Sequence, residues 1–303
     1  MAKPAVQIQP LSINRLNGRE LRIDNPSGRR IVLIYGIHSS LERMTTTAEF
    51  LSDYGQVRLP DMPGIGGMTS FYAIGREPTL DMYADYLYTY LKVSQLDKSL
   101  TFVAMSFGFL VVTRMFQKYP QTESWTDDVI SFVGFGRASD FKHLARSRRW
   151  YVPLSRLLST RAGGWFARRV VFSRLGLRAM FAVFKLFNPK YQHAMATRPV
   201  DSLKMELDLW QANDARTRFA LYKLLFQFDL TGSGQVIDVP LHDLTTFTDQ
   251  YLEPAKVAAT LKRLYAKVDS SRANLAVHAP SIIGDKDEVS AVFSDEVKAR
   301  LSS

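Results

Sequence analysis

Cysteine is missing from this chain altogether, which removes disulfides and thiolate metal sites from consideration. Histidine is scarce: there are five in 303 residues, so each has to be placed. No apolar run approaches the roughly 20 residues of a membrane-spanning helix. The N-terminal Met-Ala-Lys-Pro-Ala-Val-Gln-Ile-Gln-Pro lacks the apolar centre of a secretory signal. A cytoplasmic protein is therefore expected, soluble or peripheral at the inner face of the membrane. No bound metal or cofactor is expected either. Acidic residues are nearly absent from one stretch. Between Arg137 and Lys190 there are 13 Lys or Arg and a single acid, Asp140. The whole chain carries +10 from 39 basic and 29 acidic residues, which leaves 26 against 28 elsewhere. The basicity belongs to one middle segment.

What is present is globular in character, with 46% hydrophobic and 22% charged residues. The length suits one large α/β domain with an insertion, or two ordinary domains. A hairpin is predicted over Ser12–Asp24, turning at Asn17-Gly18 because both residue types tolerate positive φ, with Ile13, Leu16, Leu21 and Ile23 flanking it. Arg30–Tyr35 reads as a strand buried on both faces, and a helix is expected from there through Tyr54. Gln56–Asp61 reads as the next strand, and Met62–Gly67 as a loop. Thr79 can cap a helix over Leu80–Leu96 whose apolar face carries Met82, Tyr86, Tyr90 and Val93. Asp128–Gly136 is a further strand. From Arg137 to about Asp229 only helix-like runs occur. A strand over Val236–Phe247, a helix over Ala255–Val268, a short strand at Asn274–Val277 and a terminal helix over Asp295–Leu301 complete the chain. Strands and helices alternate with short links up to Gly136, which implies a parallel sheet covered by helices.

The stretch with the most chemistry in it is Leu100–Tyr119. Leu100–Ala104 reads as a buried strand, and Phe109–Tyr119 as a helix with Leu110, Val111, Met115 and Phe116 at helical spacing. Between them Ala104-Met105-Ser106-Phe107-Gly108 nearly matches Gly-x-Ser-x-Gly, a sharp turn that pushes a serine hydroxyl into the open at the end of a sheet. Taken alone, these five residues also fit an ordinary strand-to-helix turn carrying a surface serine.

Taken with the rest of the chain, the pattern resembles the α/β-hydrolase superfamily with a helical cap inserted after the sixth strand. The resemblance covers about residues 10–136 and 236–303. It implies a mostly parallel central sheet flanked by helices, with residues 1–136 and 236–303 as the core and 137–235 as a basic helical cap. It also implies the chain order nucleophile, acid, histidine. Ser106 stands at the nucleophile. Asp249 stands where the acid follows the strand after the cap, with Asp243, inside that strand, as the weaker alternative. His278 follows the next strand, 29 residues beyond Asp249. His38, His143, His193 and His242 fall in the wrong places in that order. By the family's geometry the backbone N–H groups of Ile37 and Phe107 would form the oxyanion hole. The chain departs from the family's usual pattern at three positions: Ala104 and Thr246 replace glycines, and Tyr35 replaces the histidine of a His-Gly pair. Asp61-Met-Pro-Gly64-Ile-Gly66 matches the Asp-x-Pro-Gly-x-Gly loop and reads as structural support.

The implied activity is a serine hydrolase acting on a hydrophobic carboxylic ester or thioester, a small molecule or a lipid, through an acyl-enzyme. A serine at the nucleophile argues against the dehalogenase and epoxide-hydrolase classes, which use aspartate there. The alternative is a non-hydrolytic protein on the same scaffold whose basic cap docks on an anionic membrane or a partner, motivated by the three departures and the charge concentration. In the basic segment, Arg174, Arg178 and Lys185 would fall within about 40° of one another on a helix that is otherwise apolar and aromatic. A lid with solvated arginines, contact with an anionic membrane or lipid, and a phosphate-bearing acyl substrate all fit this. Nucleic acid fits less well, because no groove-reading or stacking motif accompanies the charge.

Overall fold

The computed structural model describes residues 5–25, 29–187, 199–246, 249, 251–273 and 285–302. Eight strands form one sheet in the order β1-β2-β4-β3-β5-β6-β7-β8. They are β1 Val6–Ile13, β2 Leu16–Ile23, β3 Arg29–Ile34, β4 Gly55–Pro60, β5 Leu100–Met105, β6 Thr126–Phe132, β7 Leu241–Thr246 and β8 Val268–Ala273. The pairs β1–β2 and β2–β4 are antiparallel, and every other pair is parallel. The C-terminal ends of β3 to β8 therefore lie along one edge of the sheet, the edge where open α/β sheets build their sites.

Helices cover both faces, and the register of β5 shows how. Phe102 meets Phe116 of the helix Phe107–Lys118 at 5.9 Å between ring centres. Its neighbour Val103 faces the other way, lining a narrow gap with Met105, Phe132, Thr47 of the helix Leu41–Leu51, and Val289 and Val292 of the helix Lys286–Val292. Alternate residues of one strand thus enter two separate helical layers. This is why Ile31–Ile34 and Leu100–Ala104 are continuous apolar runs and are all buried.

We label Leu41–Leu51 α1, Leu80–Val93 α2 and Phe107–Lys118 α3. Thr79 accepts from the Met82 N–H, as expected of a cap. The buried side of α2 is broader than expected, taking in Leu80, Tyr83, Leu87 and Leu91 beside Tyr86 and Tyr90, while Val93 is exposed. Between β6 and β7 the chain forms α4 Leu144–Leu158, α5 Arg161–Phe166, a π-helical turn Ala167–Val171, α6 Arg174–Phe187, α7 Pro199–Ala212 and α8 Ala215–Leu225. No strand joins them among the described residues. This insertion has its own small core, in which Ala167, Phe172, Leu177 and Ala215 are buried among Trp210 and Phe219. After β7 come α9 Pro254–Leu264, α10 Lys286–Val292 and α11 Asp295–Ser302. Among the described residues no helix is long and apolar enough to cross a membrane.

Two expected elements fall elsewhere, and one strand was not expected. The hairpin turns at Asn14-Arg15, both at positive φ (50° and 69°), and not at Asn17-Gly18. Gly18 lies inside β2 opposite Leu11, where a side chain would collide with Met68 (2.6 Å from an added Cβ to Cγ), so packing, not turning, requires that glycine. β7 starts at Leu241 and not Val236, because Ile237 pairs only as an isolated bridge to Tyr265. The strand after α9 is Val268–Ala273, a polar edge strand with most residues open to solvent. The expected strand at Asn274–Val277 lies outside the described residues.

Candidate active site

Ser106 is the residue between β5 and α3, and its backbone is in an unusual state: φ is +50° and ψ −114°. L-residues pay roughly 1 to 3 kcal/mol for such conformations and keep them only where their surroundings force them. Here Ser106 N–H donates to the Phe132 carbonyl at 2.9 Å, and its own carbonyl accepts from Phe109 N–H at 3.0 Å. The turn is tight because α3 starts directly against the end of β3. A Cβ on Gly108 would lie 2.4 Å from the Ile34 carbonyl oxygen, so only glycine fits there. Val133, just beyond β6 on the same edge, is also at positive φ (48°), a rare state for a β-branched residue. Two strained residues therefore sit side by side at the sheet's C-terminal edge.

Gly36 faces Ser106 from the loop after β3, and a Cβ there would lie 3.8 Å from the Ser106 hydroxyl oxygen. The loop Gly36–Ser40 thus borders the serine. Phe107 is the first residue of α3, so its N–H has no partner inside that helix. Tyr35 is absorbed by the fold: its hydroxyl donates to Asp61 Oδ1 at 3.0 Å and accepts from Met62 N–H at 3.1 Å. Burial pushes Asp61 up to about 7 against the pull of Arg19, whose Nε lies 3.1 Å away. Gly66, at φ +67°, leaves room for both groups, since a Cβ would lie 2.4 Å from Asp61 Oδ1 and 2.5 Å from the Tyr35 hydroxyl. The Asp-x-Pro-Gly-x-Gly loop is structural in this sense. Ala104 is fully buried within β5, opposite Ile34 and Ser131 in regular register. Thr246 ends β7, buried, with its hydroxyl lacking a hydrogen-bond partner among the described residues.

Asp249 lies three residues beyond β7, on the edge where Ser106 emerges. It is buried, and its Oδ1 accepts from Tyr251 N–H (2.7 Å) and Leu252 N–H (2.8 Å). The start of the helical insertion stitches this loop in place. Lys142 N–H donates to the Tyr251 carbonyl, Glu253 N–H to the Asp140 carbonyl, and Lys142 Nζ to the Asp249 carbonyl. Asp243 is in a different position. It points into the sheet opposite Ser131, accepts from the Ser131 hydroxyl at 2.7 Å, and is pushed up to about 7 by burial. His278 lies outside the described residues. It follows β8, which runs parallel to β7.

Sequence reasoning missed a cluster built around His38, in the loop beside Gly36. His38 Nε2 lies 2.7 Å from Glu206 Oε2, and its Nδ1 lies 3.1 Å from an Arg218 guanidinium nitrogen. Arg43 reaches both the His38 carbonyl (3.2 Å) and Glu206 Oε1 (3.4 Å). Trp210 packs on the imidazole, and Arg218 stacks over the indole with its guanidinium carbon 3.8 Å from the ring centre. Burial first, then the two arginines, lowers His38 to about 3, despite the Glu206 bond. The partners fit one neutral tautomer, with Nε2–H donating to Glu206 and Nδ1 accepting from Arg218. An imidazole occupied in this way has no lone pair left to activate a serine. Glu206 and Arg218 are 168 and 180 residues from His38, so no local sequence signal links them.

Among the described residues no group of three or more histidine or acidic side chains could hold a metal ion. No family model and no curated protein sequence matches the chain. Solved structures do. The chain is similar to the enol-lactonase from Burkholderia xenovorans LB400 at 15% identity and a TM-score of 0.64, covering 97% of this chain and 96% of that one. An esterase from Rhodococcus sp. ECU1013 is 15% identical with a TM-score of 0.62, covering 98% of both chains. Epoxide hydrolase A from Mycobacterium thermoresistibile is 16% identical with a TM-score of 0.64, covering 98% and 97%. The likeness spans the helical insertion as well as the sheet, and its members differ in chemistry.

Proposed function

Starting from the α/β-hydrolase fold that this chain has, we propose that it is a serine hydrolase of hydrophobic carboxylic esters or thioesters, with Ser106, Asp249 and His278 as its catalytic triad. The observation that carries the reading is the backbone of Ser106. A strained non-glycine residue, held between Phe132 and Phe109 and bordered by two close-approach glycines, is what a sharply presented nucleophile requires. On this reading Ser106 Oγ attacks the acyl carbonyl while His278 takes its proton. Asp249 orients the imidazole and stabilises the imidazolium. The alcohol or thiol then leaves with that proton, and water, activated by the same histidine, releases the acid. General-base assistance of this kind is worth about 10² to 10⁴ in rate. The N–H groups of Ile37 and Phe107 receive the oxyanion, each worth about 2.7 to 4 kcal/mol at the transition state.

An apolar acyl group is favoured by the aromatic side chains at the two ends of the helical insertion, which on this reading is a cap over the site. Phe135, Phe141, Phe226 and Phe228 are in ring contact there, 5.0 to 6.0 Å between centres. A serine-directed fluorophosphonate probe tests the reading. Wild type is expected to label and Ser106→Ala to stay unlabelled, whereas an unlabelled wild type or an equally labelled variant overturns it. Ester hydrolysis should also fall as pH drops below about 6.5, where a histidine base with an ordinary pKa is protonated.

A further inference from the structure

Amphipathic helices of soluble proteins bury their apolar side, and α4 does the reverse. Trp150, Leu154 and Leu157 fall within about 60° of one another on the helix, and all three are exposed (69%, 49% and 63%). Among its described side chains, those that α4 buries, Val152 and Ser155, lie on the opposite side. The pattern continues along the chain. Trp165 and Phe166 are exposed at the end of α5 (64% and 48%), and Leu175 at the start of α6 (80%). The buried sides of these elements converge on one place: Gly164 against Arg216, and Ala167, Phe172 and Leu177 around Ala215 and Trp210. The apolar side chains left exposed on these elements lie outside that core.

Arginines border this apolar surface. Arg149 and Arg156 lie along one flank of the α4 stripe, Arg168 and Arg169 follow Phe166, and Arg174 and Arg178 lie beside Leu175. All six are exposed, and none forms an ion pair among the described residues. The one acid between Arg137 and Phe187, Asp140, is buried and occupied by backbone N–H groups. An exposed surface made of tryptophan, leucine and unneutralised arginine has a specific physical complement. Tryptophan and leucine favour the boundary between headgroups and acyl chains, and arginine keeps its stem in the apolar layer while its head reaches phosphate. Charge complementarity also sorts the other occupants. A second copy of the same surface would bring arginines against arginines with no acid between them. Nucleic acid would satisfy the charge but leave the leucines and tryptophans facing a polar backbone.

We propose that the outward face of α4, α5 and the start of α6 docks on an anionic lipid bilayer, with Trp150, Leu154, Leu157, Trp165 and Phe166 inserted at the headgroup boundary and the flanking arginines on lipid phosphates. The docking does not depend on whether Ser106 is a nucleophile. The test is co-sedimentation of the full chain with vesicles of phosphatidylcholine containing phosphatidylglycerol at roughly one part in three, against phosphatidylcholine alone. Binding is expected at least tenfold tighter to the anionic vesicles, weakened by salt, with a blue shift of tryptophan emission. Two sets of surface variants are expected to lose binding tenfold or more while keeping the wild-type circular dichroism and fluorophosphonate labelling. One is Trp150→Ala with Leu154→Ser and Leu157→Ser, and the other is Arg149→Glu with Arg156→Glu. Equal binding to both vesicle types, no binding to either, or wild-type binding by both variant sets overturns the proposal. So does loss of a dimer or of nucleic-acid binding as the only consequence of these substitutions. If labelling at Ser106 fails while vesicle binding persists, the hydrolase reading falls and this one stands.

Discussion

The sheet with its flanking helices and the insertion between β6 and β7 are built on opposite rules. In the sheet, apolar residues go inward, acids and bases nearly cancel, and backbone meets backbone so closely that Gly108 and Gly55 admit no side chain. In the insertion, the separate core is a cluster of four buried residues, the largest apolar side chains of α4 face outward, and from Arg137 to Lys190 nearly all the charge is of one sign. Packing dictates residue choice in the first region. In the second, residue choice is dictated by what the surface meets. The two regions touch through polar joints, among them the His38–Glu206–Arg218 cluster, the Asp214 N–H on the Gly64 carbonyl and the Gly66 N–H on Asn213.

The largest expected effect separates an internal group of the sheet from the ion pairs of the joint. Asp243 is buried between β6 and β7 and pushed up to about 7, chiefly by burial. A carboxyl held above its ordinary value means the folded state keeps a proton that the unfolded state has released. Raising the pH from about 4 to about 7 therefore draws the equilibrium toward unfolding. Relative to Asp243→Asn, wild type should be equally stable below pH 4, lose ground steadily up to about pH 7, and above it trail by as much as roughly 4 kcal/mol. Urea unfolding across that range measures it, and two parallel stability curves would remove the argument.

Glu206 comes next. Replacing it with glutamine leaves Arg43 and His38 without the carboxylate they now share, and breaking a buried charged pair in this way costs about 3 kcal/mol. On the proposed reading, in which Ile37 is an oxyanion donor, Glu206 would act as a positioning residue through His38, the neighbour of Ile37. Its loss should therefore lower kcat for ester hydrolysis with little change in KM. A rise in KM alone would assign Glu206 to substrate binding instead.

How much of this was legible in the sequence follows the same division. β3, β5 and the Ser106 turn were readable because a strand buried on both faces leaves an unbroken apolar run and a tight crossing leaves a glycine, as at Gly108. The hairpin turn was misplaced because Asn14 and Arg15 take positive φ without a glycine, while the visible Asn17-Gly18 is spent on packing against Met68. β8 escaped because Val268–Ala273 is an edge strand whose polar residues keep no alternation. The His38 cluster could not be read at all, since its members are brought together by the insertion folding back over the loop after β3. Ser106 was singled out by its motif between strand and helix and Asp249 by chain order, and the parallel strands bring both to one edge of the sheet.

The smallest expected effect bears most directly on the comparison. Leu33 and Leu157 are the same residue type in the two regions, one fully buried in β3 and the other 63% exposed on α4. Leu33→Ala should cost about 3 kcal/mol, from lost burial plus the cavity left behind. Leu157→Ser should fall within about 0.5 kcal/mol of zero, as surface substitutions do. If instead it costs more than about 1 kcal/mol, the α4 face is packed in solution and the contrast between the regions fails. A neutral or slightly stabilising result means that folding does not require leucine there. A side chain that folding does not need, repeated at Trp150 and Leu154 on the same stripe, is then explained by the surface it touches and not by the core it lacks.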